Sequence, residues 1–170
     1  MDISKIDVTK VNSANSIVIG NPNTTKTVVE YLNLRCPWSK LWFQKNDSVL
    51  ATAVSSGKVN RHIKLLNKFK EPLKKGNIVH QYIPSDPLMA YLLIKSVFDN
   101  QEQWKSLDDA EIPYYLESEL HLHHQQNAKM LANIVTEAEE THVQFVPSIV
   151  VGHHVFDESI SPENLSKLLN

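Results

Sequence analysis

Cysteine is scarce in this sequence of 170 residues, which contains only one. A single thiol cannot form a disulfide within the chain, and it cannot build a multi-thiolate zinc or iron–sulfur site. The sequence also lacks an apolar run of the roughly 18 residues that a membrane-spanning helix needs, and its N-terminal residues lack the apolar core of a secretory signal. We therefore expect a soluble, cytoplasmic protein in a reducing compartment, unless a mature secreted form has already lost its signal.

A strong net charge is also absent, because the formal net charge is −2. For this reason we expect no nucleic-acid partner. The charge is nevertheless uneven: residues 1–85 hold 13 of the 17 basic side chains, and residues 86–170 hold 14 of the 19 acidic ones. We interpret the basic stretch from Lys58 to Lys75 as a solvated face that the acidic second half balances. The length and the 42% hydrophobic content predict one globular domain over residues 1–170.

Apolar and β-branched segments alternate with helical patterns in the first part of the sequence, which predicts an α/β fold. Strands are expected at residues 16–20, 27–34 and 59–66, and the second of these is expected to be buried on both faces. Between the second and third strands, we expect a helix from Pro37 to about Ser55. This β–α–β unit places its two strands parallel and next to each other.

The middle of the sequence predicts only helices. One follows Asp86-Pro87 and covers residues 88–98, which are apolar all round and are expected to be buried. Another begins at Pro113, and a third covers about residues 123–140. The apolar stripe expected on the third helix consists of Ala128, Leu131, Ala132, Val135 and Ala138.

Strand patterns return near the C-terminus. Short strands are expected at residues 148–151 and 154–157, on either side of a two-residue hairpin turn at Gly152-His153. Ser161-Pro162 predicts the start of a last helix. The predicted order is therefore strand, β–α–β unit, helices, β-hairpin and helix, which is an α/β fold with a helical insertion in the middle of the chain.

Cys36 is the main candidate for chemistry because of its place in this predicted order. It lies at the carboxyl end of a buried strand and at the N-cap position of the next helix. The free N–H groups and the positive dipole at a helix start favour a thiolate over a thiol, and Arg35 adds to this effect if its side chain turns inward. The alternative is that Cys36 is an inert, buried small hydrophobe. The pattern alone leaves both interpretations open.

The sequence around Cys36 resembles a known family. Cys36-Pro37-Trp38-Ser39 resembles the Cys-x-x-Cys active site of the thioredoxin superfamily, with serine in place of the second cysteine. The stretch from Glu30 to Pro37 is similar to the active-site strand of its DsbA-like branch, and Val146-Pro147 is similar to that branch's cis-proline loop. The resemblance spans nearly the whole chain. It implies a thioredoxin-like fold of DsbA type, with a thioredoxin part at about 14–70 and 141–170 and a helical insertion at about 71–140.

The resemblance also implies roles for individual residues. Cys36 would be the nucleophile, Glu30 a buried carboxylate beneath it, and Pro147 a cis proline facing the thiol. Val146 would offer its backbone to an extended client peptide. Ser39 could donate a hydrogen bond to the thiolate. The alternatives are that Glu30 is an edge-facing charge and that Pro147 is an ordinary trans proline.

Serine at position 39 changes the chemistry that is expected. A second cysteine would release a bound client by forming an internal disulfide, which a hydroxyl cannot do. We therefore expect exchange through Cys36 alone, as in an isomerase or reductase, with a client protein or a small-molecule disulfide as substrate. An external thiol such as glutathione would act as co-substrate, and no other cofactor is expected. Two alternatives stay open: an enzyme similar to kappa-class glutathione transferases, and a non-catalytic DsbA-like adaptor. The sequence also leaves open whether two chains pair.

Histidine and tryptophan clusters offer further candidate sites. His121, His123 and His124 lie close in sequence, but at most two of them share one helix face, so we favour a solvated surface over a metal site. His153 and His154 lie in the predicted hairpin. The three tryptophans are interpreted as core or as packing at the rim of the site: Trp38, Trp42 and Trp104.

Overall fold

The computed structural model describes residues 3–170. A five-stranded sheet lies at its centre, formed by β1 (Ile17–Ile19), β2 (Thr27–Leu32), β3 (Asn60–Leu65), β4 (Ser148–Val151) and β5 (His154–Phe156). The strands lie in the order β1-β3-β2-β4-β5, which places β2 in the middle. β2 and β3 are parallel, and all other neighbouring strands are antiparallel. The predicted parallel β–α–β unit is therefore confirmed.

Seven helices surround the sheet within the described residues. They are α1 (Pro37–Ser55), α2 (Lys74–His80), α3 (Pro87–Asp99), α4 (Gln101–Trp104), α5 (Glu111–Ser118), α6 (Ala128–Glu140) and α7 (Pro162–Leu169). Helix α1 connects β2 to β3, and helices α2 to α6 all lie between β3 and β4. This arrangement confirms the α/β fold with a helical insertion. In residues 3–170, no helix combines the length and the apolar character that crossing a bilayer requires.

Local capping explains why three of the helices begin where they do. Helices α1, α3 and α7 each have proline in their first turn, where a missing N–H costs no intrahelical hydrogen bond. The Asp86 carboxylate accepts a hydrogen bond from the Met89 amide at 2.8 Å, and the Ser161 hydroxyl accepts one from the Asn164 amide at 3.2 Å. All three helix starts agree with the prediction.

The two faces of the sheet carry different buried ion pairs. On one face, Glu30 of β2 pairs with Arg61 of β3 next to α1. On the other face, Lys64 of β3 pairs with Glu137 of α6, which also accepts a hydrogen bond from the Tyr31 hydroxyl at 2.8 Å. Because β2 is covered by helices on both sides, the prediction that it is buried on both faces is confirmed.

The basic stretch is only in part the solvated face that the sequence analysis predicts: Lys58, Lys70 and Lys74 are exposed, but two other basic residues are buried. Arg61 is 1% exposed and Lys64 is fully buried. The Arg61 guanidinium and the Lys64 ammonium group are each paired with a carboxylate. This pairing offsets the free-energy cost of removing a charge from water. The prediction was wrong for these two residues because the sequence of a strand does not reveal a carboxylate that arrives from elsewhere in the chain.

Several element boundaries also differ from the prediction. β2 ends at Leu32 rather than at residue 34, and α6 begins at Ala128 rather than near residue 123. α5 begins at Glu111, so that Pro113 occupies its third position, where the N–H has no intrahelical partner. The short helices α2 and α4 were not predicted.

Two helices bury a different face from the one expected. α3 is not buried all round, because its first half exposes a set of apolar side chains: Leu88, Met89 and Leu92. α6 buries Leu131, Ile134, Glu137 and Ala138 and exposes Ala128 and Ala132. Its inward face is rotated from the predicted stripe because Glu137 turns inward to meet Lys64.

Candidate active site

Cys36 lies at the junction of β2 and α1. It is the N-cap residue, with extended backbone angles (φ −74°, ψ 122°), and its carbonyl accepts the first helical hydrogen bond from the Lys40 amide at 3.1 Å. Pro37 follows at the first helical position. The Cys36 side chain makes no capping hydrogen bond to the amides of the first turn, although its position at the helix start leaves those amides and the positive end of the dipole nearby.

The structure brings Cys36 together with the second predicted motif, 110 residues further along the chain. The Cys36 thiol donates to the Val146 carbonyl, with an Sγ–O distance of 3.3 Å. The Val146–Pro147 peptide bond is cis. Both the cysteine and Val146 are buried, at 3% and 4% exposure. The sulfur therefore lies just beneath the surface, and it is in contact with the backbone of the cis-proline loop.

An apolar rim lies next to this buried thiol. Pro37 is exposed, Trp38 is 52% exposed and Leu41 is 43% exposed. Exposed aromatic and aliphatic side chains at the mouth of a site can bury area against a partner. Trp42 and Trp104, by contrast, are completely buried, as their interpretation as core residues predicts.

Ser39 does not have the bonding partner predicted for it. Its side chain is completely buried, and its hydroxyl oxygen accepts a hydrogen bond from the Asn33 amide at 3.2 Å. No hydrogen bond joins Ser39 to Cys36 anywhere in residues 3–170. The expected donation to the sulfur is thus replaced by a contact that ties the first turn of α1 back to the end of β2.

Glu30 is buried, so the alternative of an edge-facing charge is wrong. Its carboxylate accepts from the Arg61 Nε at 2.8 Å, from the Arg61 Nη2 at 3.2 Å and from the Trp42 indole at 2.8 Å. Arg61 also pairs with Asp47 at 3.2 Å. A carboxylate held by a two-pronged guanidinium and an indole is well suited to fixing the sheet against α1.

The loop between β2 and α1 is fixed by residues that sequence reasoning missed. The Asn33 side-chain amide donates to the carbonyls of Leu66 and Leu73, at 3.1 and 3.3 Å, and its Oδ1 accepts from the Arg35 amide at 3.0 Å. A Cβ atom on Gly76 would lie only 2.3 Å from that Oδ1. The sequence did carry one signal for this role. An asparagine directly after an apolar, buried strand is itself expected to be buried, and a buried amide must find hydrogen-bond partners.

The histidine cluster is exposed to solvent. His121, His123 and His124 all lie on the surface, and the imidazole of His124 contacts the side chain of Gln81. Throughout residues 3–170, no group of three or more histidine, cysteine, aspartate or glutamate side chains is arranged to hold a metal ion.

Comparison with known proteins identifies the family. The family model described as thioredoxin matches residues 12–170, which include the helical insertion and both motifs of the site. The chain belongs to the thioredoxin family. No curated protein is similar enough to count as a match.

Solved structures share this thioredoxin-family fold. A conserved protein of unknown function from Enterococcus faecalis V583 is 40% identical, with a TM-score of 0.97, and the match covers 99% of this chain and 97% of that one. The catalytic domain of ScsC from Proteus mirabilis is 21% identical, with a TM-score of 0.68 and coverage of 93% and 89%. A protein-disulfide isomerase from Novosphingobium aromaticivorans is 17% identical, with a TM-score of 0.65 and coverage of 91% and 97%. The predicted DsbA-like fold is confirmed.

Proposed function

We propose that this thioredoxin-family chain exchanges thiols and disulfides through Cys36 alone. The observation that carries the proposal is the position of the Cys36 sulfur, which lies at the start of α1 and 3.3 Å from the carbonyl of the cis Val146–Pro147 unit. The first element places the sulfur at a helix N-terminus, and the second offers backbone groups to a substrate beside it. One structural neighbour is a protein-disulfide isomerase, which supports the same chemistry.

The proposed reaction has two steps. The Cys36 thiolate attacks one sulfur of a disulfide, forms a mixed disulfide and releases the other sulfur as a thiolate, which takes a proton from solvent. Because Ser39 cannot attack that mixed disulfide, an external thiolate does so. It forms a new disulfide with the client sulfur and returns Cys36 as a thiolate. Electrons balance without any change in the redox state of the protein.

The Val146 backbone couples client binding to release of the thiol. The Val146 carbonyl accepts a hydrogen bond from the Cys36 thiol, and the Val146 amide donates to no backbone carbonyl in residues 3–170. An extended client peptide that pairs with Val146 would donate its own amide to this carbonyl and accept from the free amide. The peptide would then compete with the thiol for the carbonyl and free the sulfur to ionise, while Trp38 and Leu41 contact its side chains.

The proposal includes a reducing compartment and a low-molecular thiol. A monothiol protein depends on a resolving thiol in excess, and the cytoplasm supplies glutathione or an equivalent. We therefore propose a cytoplasmic protein with a protein or small-molecule disulfide as substrate. The site is built from the backbone of Val146, the thiol of Cys36 and an apolar rim, a combination suited to an extended peptide.

Mass spectrometry of the native protein tests the proposal. Incubation with glutathione disulfide should add one glutathionyl group to wild-type protein and none to Cys36→Ala, and reduced glutathione should remove the adduct. Wild-type protein unfolded in urea gives the reactivity of the same thiol outside the fold. Modification of the unfolded chain but not of the folded chain would contradict the proposal.

The burial of Cys36 favours a second candidate, a non-catalytic binding protein. At 3% exposure the thiol is nearly covered, while Trp38 and Leu41 beside it are open to a partner. An adaptor of this kind should retain its partner in the Cys36→Ala variant, whereas a thiol enzyme should lose a covalent complex that a reducing agent dissolves. Comparison of the two pull-downs, with and without reductant, separates these functions.

A further inference from the structure

His80 at the end of α2 is a buried histidine that the proposed reaction does not use. Its side chain has no exposed surface. The ring Nδ1 lies 2.7 Å from the Oδ1 of Asn67, and the ring Nε2 lies 3.2 Å from the backbone nitrogen of Leu34. Leu34 is two residues before Cys36, so the imidazole touches the loop that carries the thiol.

The two contacts define the state of the ring. A backbone N–H only donates, so Nε2 must be the acceptor and carry no proton. The carbonyl oxygen of Asn67 then accepts the proton on Nδ1. Burial lowers the pKa of His80 to about 3, so the ring is neutral over the physiological range.

The same contacts complete the hydrogen bonding of one peptide unit in the loop. The Leu34 amide donates to His80, and the Leu34 carbonyl accepts from the Gln101 side chain at 2.7 Å. Leu34 is fully buried, so neither its amide nor its carbonyl can form a hydrogen bond with water instead. Side chains from α2 and α4 therefore fix this residue from both ends.

We propose that His80 is a positioning residue, which holds the loop before Cys36 and thereby keeps the sulfur at the start of α1 and in contact with the Val146 carbonyl. The proposal rests on the function proposed above, in which this sulfur is the nucleophile. The favourable interaction of a thiolate with helix amides is limited to the first turn, so a displaced loop weakens it. A residue that does not touch the reacting atoms can still fix their geometry through the backbone it holds.

Two substitutions separate positioning from a general contribution to stability. His80→Gln places an amide oxygen near the position of Nε2 and keeps an acceptor for the Leu34 amide. His80→Asn places its polar group near Nδ1 instead and leaves that amide without an acceptor. His62→Gln is the matched control, since His62 is another buried, doubly hydrogen-bonded histidine, with Ser16 and Asn60 as its partners.

The first measurement is hydrogen exchange of the Leu34 amide by NMR. The second is the pH dependence of Cys36 alkylation by iodoacetamide in the folded protein, whose midpoint reports the balance of thiol and thiolate rather than access of the reagent. The charged side chains near this end of α1 are Arg35, Lys40, Glu102 and Lys105, and every variant retains them.

We expect His80→Asn to speed exchange of the Leu34 amide at least about tenfold and to move the alkylation midpoint by at least about half a pH unit, because a displaced loop changes the distances from the sulfur to the helix start and to the Val146 carbonyl. His80→Gln and His62→Gln should leave both close to wild type. An unchanged midpoint in His80→Asn, or an equal shift in His80→Gln, would overturn the proposal. If His80→Asn does not fold, Asn67→Ala, which frees the other side of the ring, should produce the same two changes to a smaller extent, and their absence would overturn it.

Failure of the proposed function gives a different result from failure of this inference. Neither amide exchange nor alkylation needs a disulfide substrate. Wild-type protein that does not react with glutathione disulfide would therefore contradict only the proposed exchange reaction, and the comparison of His80→Asn with His80→Gln would still decide the role of His80.

Discussion

The buried imidazole of His80 should make the protein less stable in mild acid. Its pKa is about 3 in the folded protein, because burial disfavours the charged ring, and about 6.5 in the unfolded chain. Between these values the unfolded chain binds a proton that the folded chain does not. The contribution is therefore fully present above pH 6.5 and is lost as the pH falls, by about 1.4 kcal/mol per unit within the window.

The magnitude follows from the two pKa values. From about pH 7.5 to about pH 5, the linkage equation gives a loss of about 2 kcal/mol in the free energy of unfolding. Urea titration at each pH measures this quantity for wild type and for His80→Gln, which lacks the titrating ring. The difference in the free energy of unfolding between wild type and His80→Gln should shrink by this amount. Other titrating groups, including His62 with its lowered pKa, contribute equally to both proteins. A difference that is independent of pH would refute the assignment of His80 as a neutral, buried ring.

Three further substitutions test the packing around the site, each by urea unfolding. Gly76→Ala should cost about 1–3 kcal/mol because its Cβ would overlap the Asn33 amide, and the cost should largely vanish in an Asn33→Ala background; an equal cost in both backgrounds contradicts the clash. Arg61→Met should cost about 3–5 kcal/mol because the buried Glu30 carboxylate loses its cationic partner and keeps only the Trp42 indole, and a second change, Glu30→Gln, should recover part of that loss. Ser39→Ala should cost about 1–3 kcal/mol because the buried Asn33 amide loses its acceptor; a neutral effect would show that this contact contributes nothing.

The parts of the fold that could be predicted from sequence are those with local causes. Cys36-Pro37, Asp86-Pro87 and Ser161-Pro162 each combine an extended residue with a proline in the first helical turn, and a helix begins at each of them. The Gly152-His153 turn likewise joins β4 to β5, with a positive φ of 58° at the glycine. The signals for these elements lie within a few residues of where they act.

The hydrogen-bond partners in the site could not be predicted, because they come from distant parts of the chain. Asn33 binds carbonyls at positions 66 and 73, and Leu34 is held by His80 and Gln101. The face of α6 was predicted wrongly for a related reason. Apolar periodicity cannot show that Glu137 turns inward, since its partner Lys64 belongs to a strand more than seventy residues earlier.

The charged groups that stabilise the sheet are different from the neutral groups that hold the loop before Cys36. The two ion pairs, Glu30–Arg61 and Lys64–Glu137, lie on opposite faces of the sheet, whereas the groups that hold the Cys36 loop are neutral amides and a neutral imidazole. A buried charge among those anchors would shift the balance of thiol and thiolate strongly, because coulombic interactions are strong at low dielectric. With neutral anchors, the groups next to the sulfur are the start of α1 and the Val146 carbonyl, whereas the Arg35 side chain donates to the Lys105 carbonyl. Substitutions in the ion pairs should therefore lower the free energy of unfolding without changing how folded Cys36 reacts, whereas substitutions that remove a hydrogen bond from the loop, such as His80→Asn, should change both.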